Sequence, residues 1–205
     1  VFISGVVAGM VYGRIGLSQG SLLLRKRVFG RALDIYLFHQ ASSIFVVILE
    51  ILISNEIYTS FYRNINPLPM ESPIIALGLG AIFLWQPFML DILPMYWLFL
   101  LITPFSINRF NNNQGYWVLL GSFLIWSVAI YYYHSWYDLQ TFLFQFFPCN
   151  LGFFNPFAWQ FLFIGGLFFG VRRTAGIMIP IKKSLIVLAL IIWLGIMLVR
   201  YEVLP

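Results

Sequence analysis

The stretch PIIALGLGAIFLWQPF, residues 73–88, decides how the chain is threaded. It is apolar enough to cross a bilayer, yet it carries Gly78, Gly80 and Gln86, and Pro87 stops it. Apolar runs at 32–54, 92–107, 116–133, 155–171 and 184–199 read as spans, and residues 1–13 as the end of one more. A full helical span takes about 20 apolar residues, so 92–107, with Pro94 in its first turn and Pro104 interrupting it, is a short one. Charge settles the ambiguous run, because Lys and Arg accumulate in cytoplasmic loops. If 73–88 crosses, the basic residues divide six against six; if it does not, ten lie inside and two outside. The stretch is therefore expected to be a re-entrant or surface-lying segment on the outer side. Glu56, Glu71, Asp91, His134, Asp138 and Glu202 then share that outer face.

Composition points the same way. The 205 residues are 61% hydrophobic and only 9% charged, with a mean hydropathy of +0.88. A soluble domain averages about 25% charged residues, so too little charge is present to wet a globular surface. The expected fold is an all-α polytopic membrane protein, one membrane-embedded domain over residues 1–205 with about six transmembrane helices. Because residues 1–13 are too short for a span and lack a charged start, the chain is expected to be a fragment of a larger protein of about ten helices. The net charge of +5 comes in short clusters between apolar runs, without an aromatic-basic motif, and excludes a nucleic-acid partner. Cys149 is the only cysteine and His39 and His134 the only histidines, so neither an internal disulfide nor a metal site is expected.

Polar residues inside the apolar runs are the candidates for chemistry. In RALDIYLFHQASSIFVVILE, residues 31–50, helical spacing puts Tyr36, His39, Ser43, Val47 and Glu50 near one stripe, with Gln40 beside it. His39 is eight residues past Arg31, roughly 12 Å into a bilayer at 1.5 Å per residue. Ionisable groups at that depth face a bundle interior or a wet cavity and usually have a function. The plainer alternative is a neutral histidine bonded to a neighbouring helix. Asp34 points elsewhere and is expected to pair with a basic residue near the membrane edge. In WQPFMLDILPMYWLFL, residues 85–100, Asp91 stands where a helix N-cap would, and Pro94 fits the first turn. Asn155 and Pro156 repeat the scheme, trailed by Trp159 and Gln160. Two capped helix starts with aromatic and amide groups suggest the mouth of a cavity, although Trp159 alone reads as an interfacial belt residue. Gly165, Gly166 and Gly170 are expected to permit close helix packing. No nucleophile elbow, phosphate-binding glycine loop or paired metal-ligand spacing occurs.

QPFMLDILPMY, residues 86–96, resembles a signature of OpgC-type membrane acyltransferases, within the acyltransferase-3 superfamily. FNPFAWQFLFIGG, residues 154–166, resembles a second signature closely. FISGVVAGMVYGR, residues 2–14, and the series Arg31, Tyr36, His39 are similar to the same family in the same order. The resemblance implies a bacterial inner-membrane enzyme that transfers an acyl group, with succinyl the expected one, to a hydroxyl of a periplasmic glucan or another envelope carbohydrate. It implies cytoplasmic acyl-CoA, with succinyl-CoA the expected form, as donor substrate, and no tightly bound cofactor. On that reading Gln86, Asp91, Tyr96, Asn155, Trp159 and Gln160 shape an outer acceptor site. His39 and Glu50, with Tyr36, line the route of the acyl group, and His39 and Asp91 are the catalytic candidates. The superfamily's best-known catalytic histidine lies in an N-terminal block that these residues do not match, so His39 does not inherit its role. The chain alone is expected to be inactive. The rival reading is a glycan transporter or flippase, which would neither consume acyl-CoA nor leave an ester on the glycan. A structural membrane subunit is the third.

Overall fold

The computed structural model describes residues 1–52, 72–87, 90–112, 114–132, 138, 141–143, 145–146 and 154–177. Its main elements are α1 (Phe2–Leu52), α2 (Pro73–Ala81), α3 (Ile92–Asn111), α4 (Gly115–Tyr131) and α5 (Pro156–Thr174). The expected run at 184–199, with Glu56, Glu71, His134, Cys149 and Glu202, lies outside the described residues.

α1 is not one rod. Gly20 leaves helical geometry at φ 82°, ψ 172°, a region that only glycine enters without strain. The chain folds back there. A Cβ on Gly16 would lie 3.4 Å from Leu24 Cδ2, and Ser4, Tyr12, Arg31 and Ile35 line one cleft. The arms 2–19 and 21–52 are thus antiparallel. Arg31 forms an exposed ion pair with Asp34 at 3.9 Å, the pairing that Asp34 was expected to make.

The first arm and α5 meet backbone to backbone. A Cβ on Gly9 would sit 2.9 Å from Gly170 Cα, and one on Gly170 would sit 2.8 Å from Gly9 Cα. Gly5 and Gly166 face carbonyl oxygens of the opposite helix, those of Phe163 and Phe2. Small residues four apart on both helices permit this approach, and it brings Cα–H groups against carbonyls. Gly166 and Gly170 therefore act as their spacing predicts, whereas Gly165 is turned away, with only the Phe2 ring 4.0 Å from a Cβ. Around this seam, Leu24 and Val28 of the second arm, Met95, Phe99 and Ile107 of α3, and Leu167 of α5 form a core. α4 packs mainly on α5, and α2 packs chiefly against α1.

The expected six-span bundle is corrected here. Among the described residues one helical stretch is long and apolar enough to cross a membrane, within Phe2–Leu49, the helix that the fold-back at Gly20 divides. The expectation counted apolar runs end to end, and a run is not a helix. Residues 73–88 contain nine helical residues followed by a turn, about 14 Å of helix against a hydrocarbon core of about 30 Å. α4 has 17 residues, and α5 carries Arg172 and Arg173 in its last turn. α3 runs through Pro104 without stopping, but it ends in the polar series around Arg109. The helices also bury few of their large apolar side chains: Ile3, Leu22 and Ile74 are each more than three-quarters exposed.

Candidate functional site

α2 ends in a turn that organises the site. Phe83 N–H donates to Gly80 O at 3.1 Å and Leu84 N–H to Leu79 O at 2.9 Å, the paired bonds of a Schellman helix end. The residue between those bonds takes left-handed backbone geometry and is usually glycine. Here it is Phe83, at φ 61°. A bulky residue pays about 1–2 kcal/mol for that geometry, so something must hold it. Its ring lies 5.7 Å from Tyr36, 5.3 Å from His39 and 5.1 Å from Trp97 of α3, centroid to centroid. Gln86 Nε2 donates to its carbonyl at 3.3 Å.

The polar stripe of α1 meets this turn. Tyr36 Oη donates to Ala81 O at 3.2 Å, at the open end of α2, and Gln40 Nε2 adds a second bond to Gly80 O at 3.3 Å. His39 is fully buried and Ser43 nearly so. Neither ring nitrogen of His39, nor Ser43 Oγ, has a hydrogen-bond partner among the described residues. Leaving such a group unmet costs roughly 1–3 kcal/mol, and each native case calls for an explanation. Among the described residues, no neighbouring helix supplies the bond that the plainer alternative for His39 would require. Glu50 lies on the same helix with its side chain outside the described residues.

Asp91 stands at the start of α3 but does not cap it; its side chain makes no cap bond there. Instead Asp91 Oδ2 accepts from Phe154 N–H at 3.3 Å, two residues before the start of α5. The carboxylate is buried at 4% exposure. It ties the two helix starts together. Asn155 is the true cap: its Oδ1 accepts from Phe157 N–H at 3.0 Å and from Ala158 N–H at 3.4 Å, with Pro156 next in line.

The remaining candidates fall in three other places. Tyr96 Oη accepts from Ser4 Oγ at 3.0 Å, at one end of the cleft between the arms of α1. Gln160 is turned to α4: its Nε2 donates to Ser122 O at 2.6 Å and its Oε1 accepts from Ser122 Oγ. Trp159 is partly exposed and packs edge-on against Phe154 at 5.8 Å. Tyr36, His39 and Gln86 thus gather around Phe83, Asp91 and Asn155 join at two helix starts, and Gln160 works as a helix clamp. Sequence reading missed Phe83, because a left-handed phenylalanine has no signature in the chain. It also missed Gly5 and Gly9, although their spacing was visible.

Truncation at Phe83 separates backbone strain from ring contacts. Phe83→Gly is expected to be more stable than Phe83→Ala by about 1–2 kcal/mol, because only glycine is free of the left-handed penalty. Denaturant or thermal unfolding of both variants checks it. Equal stability would mean that Phe83 is not held in that geometry.

A family model described as OpgC protein matches residues 1–204. No curated protein and no solved structure matches the chain. The match covers nearly every residue, and the chain belongs to the OpgC family.

Proposed function

We propose that this OpgC family member takes part in O-acyl transfer to a hydroxyl of a periplasmic glucan, with a cytoplasmic acyl-CoA as donor and succinyl as the group moved. The observation that carries the reading is the family match over residues 1–204. Membership supports an acyltransferase-related role in periplasmic glucan acylation, and the apolar helix Phe2–Leu49 fits a membrane-associated protein.

The reaction makes a C–O bond between the sugar oxygen and the acyl carbon and breaks the C–S bond of the thioester. The hydroxyl proton must leave as the oxygen attacks, and the departing thiolate takes one up. A buried imidazole with neither nitrogen engaged suits the first task, since the neutral ring accepts a proton at one nitrogen. Ser43, one turn further along, offers a hydroxyl to the same space. Asp91, held between two helix starts, orients the acceptor beside Asn155, and Trp159, packed on Phe154, supplies an aromatic face at the same helix start. Tyr36 and Gln86 fix the turn that carries Phe83 over His39.

His39→Gln tests the proposal. It keeps a hydrogen-bonding side chain of similar reach and removes the group that titrates. Acylated glucan in cells carrying this variant in the full-length protein is expected to fall roughly a hundredfold or more, the scale of lost acid–base catalysis. Protein abundance should not change. Wild-type acylation would reduce His39 to a packing residue.

A further inference from the structure

α3 and α4 enclose a groove of about 410 Å³ that no part of the acyl-transfer reading uses. Its walls are Ile102, Phe105, Trp117 and Ile125, and Ile164 of α5 forms part of its floor. Ser122 and Gln160 also border it, but their hydrogen bonds are spent on each other. The deep part therefore offers a guest only apolar surface. From Gln114 to Ile125 the wall of α4 runs roughly 16 Å.

Gly121 lies midway along this wall, and a Cβ there would meet nothing within 4 Å. Glycine inside a helix costs about 1 kcal/mol relative to alanine. The glycines of the α1–α5 seam earn their place by close approach, and this one has no such neighbour. Its effect is to leave the groove open.

One end of the groove is charged. Arg109, exposed, donates to Gln114 Oε1 and lies 5.3 Å over the Phe105 ring. Among the described residues no carboxylate pairs with it, since the one ion pair there is Arg31 with Asp34. Trp117, 74% exposed, stands at the same end. An ordered guanidinium and an indole above an apolar slot match an anionic headgroup joined to a hydrocarbon tail.

We infer that the α3–α4 groove binds an anionic phospholipid, with one acyl chain along Gly121 and the phosphate on Arg109. A second copy of the chain is a poorer occupant, because a slot with one cation and no hydrogen-bonding rim offers a protein surface little to register on.

Purified full-length protein in detergent, incubated with phosphatidylglycerol or phosphatidylcholine of equal chain length, is read by native mass spectrometry. Wild type is expected to retain one phosphatidylglycerol per chain, with roughly tenfold preference over phosphatidylcholine, whose choline cation opposes Arg109 beside the phosphate that both lipids carry. Arg109→Gln, at an exposed position, should bring the two lipids close to parity. Gly121→Phe should lose both while its unfolding temperature stays near wild type. Equal retention of the two lipids by wild type overturns the inference. So does undiminished preference in Arg109→Gln, or a lipid-free dimer in place of a lipid complex. If Gly121→Phe unfolds, the Arg109→Gln result decides alone.

Discussion

Gly170→Val is expected to take apart the central seam and destabilise the protein by more than about 3 kcal/mol, beyond the usual cost of overpacking. The reason is the kind of atom that is struck. A Cβ at this position lies 2.8 Å from both Gly9 Cα and Met10 N and closer still to Val6 O. These are backbone atoms, so no rotamer change can relieve the collision and the helices must separate. Separation also opens the core at Leu167 and Val171. Gly165→Val on the same helix is the control, since only the Phe2 ring, at 4.0 Å, faces that position. Thermal unfolding in detergent should distinguish the two by many degrees. If they unfold together, the first arm of α1 does not touch α5 as described.

Asp91→Asn is expected to accumulate like wild type and yet lose acyl transfer by roughly a hundredfold, at the lower end of what a proton-handling group contributes. The amide retains an oxygen that can accept from Phe154 N–H, so the link between the starts of α3 and α5 survives. What disappears is the charge and the capacity to hold a proton. Asp91→Ala removes the acceptor as well and should cost a further 1–3 kcal/mol, because the Phe154 amide loses its bond. Ester content of the glucan and protein abundance, measured side by side, separate the two effects. Full activity in Asp91→Asn would leave the carboxylate a strut and nothing more.

Periodicity made the stripe on α1 legible: Tyr36, His39 and Gln40 do face one neighbour, the end of α2 and the turn after it. Capping chemistry was legible at Asn155, where Pro156 follows and both bonds form. The same rule failed at Asp91. An aspartate before a helix can satisfy any N–H within reach, and here the nearer need was on Phe154, 63 residues away. Membrane threading was the least legible. Hydropathy registers apolar length, but it is silent on where hydrogen bonding stops, and the run at 73–88 stops being helical at Ala81. Gly20 carries no signature that sets it apart from the other glycines of the chain, although its dihedrals split α1 into antiparallel arms. Family membership came from the signature blocks, which say little about geometry.

The seam between the first arm of α1 and α5 joins positions about 160 residues apart, Gly9 to Gly170. A ribosome adds roughly 5–20 residues each second, so the first arm waits some ten to thirty seconds before its partner helix exists. At first only the fold-back at Gly20 is available to it, a contact closed over a few residues and therefore quick to form, and α3, through Tyr96, follows. The nascent chain thus carries a glycine-lined strip of bare backbone until α5 is made. This face is begun well before its partner exists, which makes the strip the place where misassembly, or a chaperone, would take hold.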